Sequence, residues 1–240
     1  LIFGNLILNK HNNTLNIPMN TIVKIISPKI DLKRFFDGTD PSLVIKDLAE
    51  IGNIDNRDAV YIYPEGILPS INLNEIQDYS SVFKNYFKNN HKIIVGITRY
   101  EETDIFNSMA LLDNDLKLIS VYDKNKLVPF GEYLPFENLL KNYGFKKITQ
   151  GYQSFSSSSE REIINMNNLR FLPLICYEII YSGSLLKKSE NYDFIVNISE
   201  DGWFGDSIGP HQHFAHSIFR AIESGKYLVR SANNGISAII

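Results

Sequence analysis

Cys176, the only cysteine of the chain, closes an apolar run in Leu174-Ile175-Cys176-Tyr177-Glu178. A thiol attacks an acyl carbonyl once a base or a nearby cation has generated the thiolate. Two other short blocks carry suitable groups. Glu65 lies in Tyr61-Ile62-Tyr63-Pro64-Glu65-Gly66, and Lys124 lies in Tyr122-Asp123-Lys124-Asn125-Lys126-Leu127-Val128-Pro129-Phe130-Gly131-Glu132. A carboxylate can take and return a proton, and an ammonium can hold the oxyanion of a tetrahedral intermediate. Carboxylate, ammonium and thiol, each at a strand end, suggest covalent acyl chemistry. Residue types alone leave blander readings open. A lone cysteine on an apolar strand is more often a small buried hydrophobe. A glutamate after a proline is more often a solvated turn residue, and Lys126 is as available as Lys124.

Further along, Asn197-Ile198-Ser199-Glu200-Asp201-Gly202-Trp203-Phe204-Gly205 leaves a strand and enters a helix at Gly209-Pro210. Strand-end loops often carry sites. His211, His213 and His216 invite a zinc reading. Residues i and i+2 point apart on a helix and no second ligand cluster exists, so no metal is expected.

These blocks need a scaffold. The chain has 240 residues, 44% hydrophobic, which suits one large globular domain. Its net charge of -3 shows no basic stripe for nucleic acid. One cysteine excludes an intrachain disulfide framework. No apolar stretch reaches the roughly 18 residues that span a bilayer. The chain opens on Leu1 and stops inside an apolar run at Ile239-Ile240, so a segment of a longer protein is expected.

Residues 9–20 read as an Asn-rich linker, and strands are expected at Thr21–Ile26, Ala59–Tyr63, Lys92–Thr98, Leu169–Cys176 and Asp193–Ser199. Ser108–Leu112 and Lys117–Tyr122 flank an Asp113-Asn114-Asp115 hairpin turn. Asp40-Pro41 starts a helix that Gly52 stops. A second helix is expected from Glu75 to about Lys88. A third runs from about Pro210 to Ser224, with Phe214, Ile218 and Ile222 as its core stripe and Gly225 as C-cap. Phe155–Glu160 reads as an exposed loop. Tyr227–Ala232 and Ile236–Ile240 flank Asn233-Asn234-Gly235, a type I′ hairpin signal. This alternation favours an α/β domain with helices on both sheet faces.

Taken together, the three blocks resemble the carbon–nitrogen hydrolase (nitrilase-like) superfamily, and within it the apolipoprotein N-acyltransferases. The segments that carry the likeness are Tyr63-Pro64-Glu65, Lys124 through Pro135, Ile175-Cys176-Tyr177-Glu178, Trp203-Phe204-Gly205 through Gln212-His213, and Arg230 through Ile236. The Leu-Val-Pro-Phe-Gly-Glu-Tyr block at 127–133 and the Trp-Phe-Gly block are more specific than the triad, which general amidases share. The resemblance implies a four-layer αββα sandwich. It implies Glu65 as general base, Lys124 as oxyanion stabiliser and Cys176 as nucleophile. Glu132, Glu178, Tyr177 and Asn107 match supporting positions, and Trp203 matches a tryptophan near the lipid access region. It further implies a phospholipid acyl donor, a diacylglyceryl-cysteine apolipoprotein acceptor and no cofactor. The expected place is the periplasmic face of a bacterial inner membrane, with residues 21–240 as catalytic domain and residues 1–20 linking it to a preceding membrane domain. Lys126, Glu200 and Gly202 depart from the usual His, Asn and Ala.

Residues 133–147 set Leu134, Phe136, Leu139, Leu140, Tyr143 and Phe145 among three lysines. They read as a lid or entry arm touching lipid, with Phe136 and Leu139 as lipid-entry residues, or equally as an amphipathic helix on the core. A soluble amidase acting on a small amide is the rival reading of the triad, and a non-catalytic relative is another.

Overall fold

Strand β2 (Ala59–Ile62) is buried at every residue, as expected of a strand covered on both faces. Its alternate side chains enter two different cores. Ala59 and Tyr61 pack with the helical layer, whereas Val60 and Ile62 pack against a second sheet. The computed structural model describes residues 21–35, 38, 40–68, 70–88, 90–135, 154–183 and 191–240. The arm residues Phe136 and Leu139 and the linker 1–20 lie outside them.

The first sheet runs in the order β1 (Ile22–Ile25), β2, β3 (His91–Glu101), β4 (Asp104–Asp113) and β5 (Leu118–Asp123). β1, β2 and β3 are parallel, and β3, β4 and β5 form an antiparallel meander. The second sheet runs in the order β10 (Ala238–Ile239), β9 (Leu228–Asn233), β8 (Phe194–Glu200), β7 (Leu169–Ile175) and β6 (Ile164–Met166). There β7, β8 and β9 are parallel. Met109, Leu111, Phe171, Val196 and Ile198 fill the space between the sheets. Helices α1 (Pro41–Ile51) and α2 (Ser80–Lys84) cover the outer face of the first sheet, and α3 (Gly209–Ser224) covers that of the second. The result is the αββα sandwich. β2 and β5 point the same way, as do β7, β8 and β9, so their carboxyl ends gather at one edge of each sheet, where α/β folds place their sites.

Local signals account for several boundaries. Asp40 accepts from Ser42 N at 2.9 Å and Pro41 occupies the first turn of α1. Gly225 ends α3 in the left-handed conformation, φ 62°. Gly96 lies where the chain crosses closest, since a Cβ there would sit 2.5 Å from Glu65 Cα. Gly96→Ala is therefore expected to cost about 1–3 kcal/mol through overpacking and to push Glu65 out of register. Thermal denaturation and Cys176 alkylation measured together check it, and a variant unchanged in both would refute it.

Three expectations need correction. The helix from Glu75 to Lys88 is a 3-10 turn at Ile76–Tyr79 joined to the short α2. Ser80, Ser81 and Asn85 are weak helix formers, and the segment keeps Ile76, Phe83 and Phe87 buried without a long helix. In α3 the buried residues are His213, Ser217, Arg220 and Ala221, while Ile222 is 71% exposed. That helix packs on the turn after Cys176, whose carbonyls need donors. The 155–160 segment is the expected loop, with Ser157, Ser159 and Glu160 exposed, and its Phe155, Ser156 and Ser158 N–H groups donate to the carbonyls of Glu132, Ile105 and Lys124 at 2.9, 2.7 and 3.0 Å. Finally, the β9–β10 hairpin is present, but its turn is not type I′. Asn234 has φ 54° and Gly235 has no positive φ. Gly235 is glycine for space, because a Cβ would fall 2.1 Å from Asp201 Oδ2. Strand β6 was not foreseen. Its signal was Asn167-Asn168, a two-residue turn with Asn167 at φ 56°.

Candidate active site

Cys176 follows the last residue of β7 with φ 49°, in the left-handed region that a side chain rarely adopts. Such a residue costs about 1–3 kcal/mol and persists only where its surroundings impose it. Here the chain turns sharply from strand into a 3-10 turn at Cys176–Ile180. The turn is fastened from below by Glu178. Its carboxylate accepts from Ile175 N at 2.9 Å, from Asn125 N and Lys126 N at 3.0 Å each, from Tyr122 Oη at 2.7 Å and from Arg161 at 2.9 Å. Glu178 thus staples the Cys176 turn to the Lys124 loop. It is wholly buried and its oxygens are spent on donors.

Glu65 leaves the end of β2 and is 8% exposed. Asn107 Nδ2 donates to Glu65 Oε1 at 2.7 Å and to Glu132 Oε1 at 2.8 Å, so one amide bridges two carboxylates. Glu200 N donates to Glu65 Oε2 at 3.0 Å. Lys124, directly after β5, is 1% exposed, and its Nζ lies 2.8 Å from Glu132 Oε1 and 3.4 Å from Glu65 Oε1. Val128 N completes Glu132 at 2.8 Å. Lys126 is exposed, and its backbone N–H donates to Glu178.

Charge ties the groups to the thiol. Burial works against the Lys124 ammonium, but Glu132, then Glu65, then Cys176 outweigh it and hold its pKa well above the usual lysine value. The thiol is pushed up, first by burial and then by the Glu65 charge, against the opposing pull of Lys124. At rest Cys176 is therefore a thiol and Lys124 an ammonium. Moving the thiol proton to Glu65 leaves the net charge of the cluster unchanged, which makes it the inexpensive route to a thiolate in a buried site.

The other expected residues fall at the periphery. Tyr177 is half-buried, with its ring 5.8 Å from that of Tyr181. Trp203 is 44% exposed and packs on Phe35, ring centroids 5.5 Å apart. Sequence reasoning missed Arg34, which pairs with the buried Glu200 carboxylate and donates to Gly66 O at 3.4 Å. Glu200 also accepts from Gly202 N at 2.8 Å and Asn233 Nδ2 at 2.7 Å. A Cβ on Gly202 would lie 2.7 Å from Glu200 Oε1, so these two departures from the usual pattern fit each other. His213, buried on α3, faces Asp201 and the Cys176 carbonyl, leaving neither ring nitrogen for a metal.

A family model described as carbon-nitrogen hydrolase matches residues 80–240, which include Lys124 and Cys176. The chain belongs to the carbon–nitrogen hydrolase family. Glu65 precedes the matched segment, and the fold brings it to the other two. The apolipoprotein N-acyltransferase of Rhizobium rhizogenes is 33% identical over 232 residues, 91% of this chain and 43% of that protein. That of Bradyrhizobium diazoefficiens is 39% identical over 193 residues, 77% of this chain and 36% of that protein. The chain thus spans less than half the length of these curated relatives. Among solved structures, a carbon–nitrogen hydrolase superfamily protein of Xanthomonas campestris superposes with a TM-score of 0.58 at 14% identity, covering 91% of this chain and 81% of that one. An amidase of Nesterenkonia gives 0.54 at 10% identity, over 89% and 74%. At such identities the two share the carbon–nitrogen hydrolase fold with this chain, and nothing finer.

Proposed function

We propose that this chain is the catalytic portion of an apolipoprotein N-acyltransferase. The observation that carries this reading is the likeness across 91% of the chain to proteins of that name, and buried Glu65 and Lys124 beside a half-buried Cys176 suit the chemistry. Cys176 Sγ attacks the ester carbonyl of a phospholipid as its proton passes to Glu65. Lys124 neutralises the oxyanion. The intermediate collapses, Glu65 returns the proton to the departing lysophospholipid oxygen, and a thioester remains. The N-terminal amine of a diacylglyceryl-cysteine lipoprotein attacks that thioester, gives its proton to Glu65 and expels the Cys176 sulfur, which recovers the proton. One difficult transfer becomes two easier ones.

Both substrates are anchored in lipid, each buried CH₂ contributing about 0.8 kcal/mol. The site must therefore open toward a bilayer, which in this reading is the bacterial inner membrane seen from its periplasmic face. Phe130, Trp203 and Phe204, each at least 40% exposed, offer an apolar rim for acyl chains. Phe136 and Leu139 would extend it as the lipid-touching arm. Among the described residues no helix is long and apolar enough to span a bilayer.

The test is intact-protein mass spectrometry of the full-length protein in detergent after incubation with a defined phosphatidylethanolamine. A fatty-acyl mass removed by hydroxylamine, discharged by a diacylglyceryl-cysteine peptide and absent from Cys176→Ala is expected. Undiminished transfer by Cys176→Ala, or phospholipid-independent turnover of small amides without any acyl adduct, would overturn the reading, the second in favour of an amidase.

A further inference from the structure

The mechanism above uses the side chain of Cys176 and leaves its backbone unexplained. A residue held at φ 49° needs something to keep it there. Behind the nucleophile lies a second buried cluster that touches neither Glu65 nor Lys124 directly. His213 is 3% exposed and its Nε2 lies 3.1 Å from the Cys176 carbonyl oxygen. A carbonyl oxygen can only accept, so Nε2–H donates. The other ring nitrogen, Nδ1, lies 2.9 Å from Asp201 Oδ1. Arg230 fastens Asp201 in turn, with Nη2 at 2.8 and 3.0 Å from its two oxygens. Its Nη1 bonds Asn197, whose amide donates to Leu174 O at 3.0 Å, and its Nε donates to Ile236 O at 3.1 Å. The Ser199 hydroxyl donates to Asp201 Oδ1 at 2.7 Å. Phe204 packs its ring edge-on to the imidazole, centroids 5.4 Å apart.

Three features set this cluster apart from ordinary core polarity. Arg230 and Asp201 are both wholly buried, which proteins tolerate only for paired groups. Gly235 is kept free of a side chain by the Asp201 carboxylate. The cluster meets the strained cysteine at two points, its peptide through His213 and its thiol through the Ser199 hydroxyl. We propose that His213 is a positioning residue for acylation: it locks the Cys176 peptide in the left-handed turn that aims the thiol at Glu65 and Lys124, while Asp201 and Arg230 lock His213. Without that bond the Cys176 peptide relaxes toward an ordinary backbone conformation and swings the sulfur away. The inference rests on Cys176 being the nucleophile.

Side-chain length separates positioning from bulk stability. Glutamine places its amide nitrogen near the Nε2 position and can still reach the Cys176 carbonyl. Asparagine places its amide near Nδ1 and keeps only the Asp201 contact. His213→Ala, His213→Gln and His213→Asn in the full-length protein are compared by melting temperature, rate of phospholipid-dependent acylation and rate of Cys176 alkylation by iodoacetamide. His213→Ala and His213→Asn are expected to lower the maximal acylation rate by about 10²-fold, the cost of misplacing a reacting atom by about 1 Å. The phospholipid concentration for half-saturation should not change. His213→Gln is expected to recover at least tenfold of that rate, or about 1.4 kcal/mol in barrier terms, and alkylation should follow the same order. Asparagine matching or exceeding glutamine, rates that merely track melting temperature, or a wild-type rate in His213→Ala would overturn the proposal. If the wild-type protein gives no acyl adduct, the acyltransferase reading fails by itself, and the alkylation series still decides whether His213 presents the thiol.

Discussion

Glu65→Gln is expected to slow acylation of Cys176 by about 10²–10⁴-fold at neutral pH, the usual contribution of a general base. The deficit should shrink as the pH rises. The sign follows from the thiol. Burial first, and the Glu65 charge second, raise its pKa, so at neutral pH the wild-type protein holds a thiol whose proton must be removed during attack. A base matters most where the nucleophile is protonated and least where solvent hydroxide has already ionised it. The substitution also deletes the carboxylate charge that disfavours the thiolate and leaves the favourable Lys124 charge in place, so ionisation in the variant should begin at lower pH than in the wild type. Acylation rates across the neutral to alkaline range, by mass spectrometry with phosphatidylethanolamine, read both effects. A wild-type to variant ratio that is constant with pH would mean that Glu65 acts only by shape.

Lys124→Met should produce the largest loss of stability of any substitution in the site, about 3–5 kcal/mol, because it strands buried carboxylates without their cation. Glu132 and Glu65 lie 2.8 and 3.4 Å from Nζ, and both are almost inaccessible to water. Adding Glu132→Gln removes one of the two stranded charges. The double variant should therefore regain much of the lost stability in chemical denaturation. It should not regain activity. The oxyanion still lacks its ammonium, and loss of one such donor typically costs about 10²–10³ in rate. A double variant both stable and active would show that Lys124 serves only to neutralise carboxylates. One that stays unstable would place the main stabilising partner at Glu65 rather than Glu132, against the shorter distance.

Much of the architecture was legible in the chain. Apolar runs at 59–63, 169–176 and 193–199 became strands because a two-sided burial needs unbroken hydrophobic sequence, and Asp40-Pro41 and Gly225 bounded helices through caps that act within a few residues. What was missed shares a cause. In α3 the apolar periodicity of Phe214, Ile218 and Ile222 is real, yet the helix buries His213 and Arg220, because the carbonyls of Cys176 and Ile180 need donors. The Phe155–Glu160 segment is the loop its composition suggests, and its backbone adds hydrogen bonds to the carbonyls of Lys124 and Glu132, which the sequence did not reveal.

The sequence by itself determined which residue types could do the chemistry and that each stands at a strand end, since these follow from local composition and periodicity, and its motif blocks carried the resemblance to the family. Only the tertiary structure decided that Lys124 rather than Lys126 enters the cluster, that one Asn107 amide bridges two carboxylates, and that Glu200 N, 135 residues away, completes Glu65. It also decided that Gly96 and Gly235 are glycines for want of room rather than for their turns. The physical reason is the same throughout. Buried polar groups must be satisfied by whatever the packing of two sheets brings near, and spacing along a chain does not say which strand ends will meet.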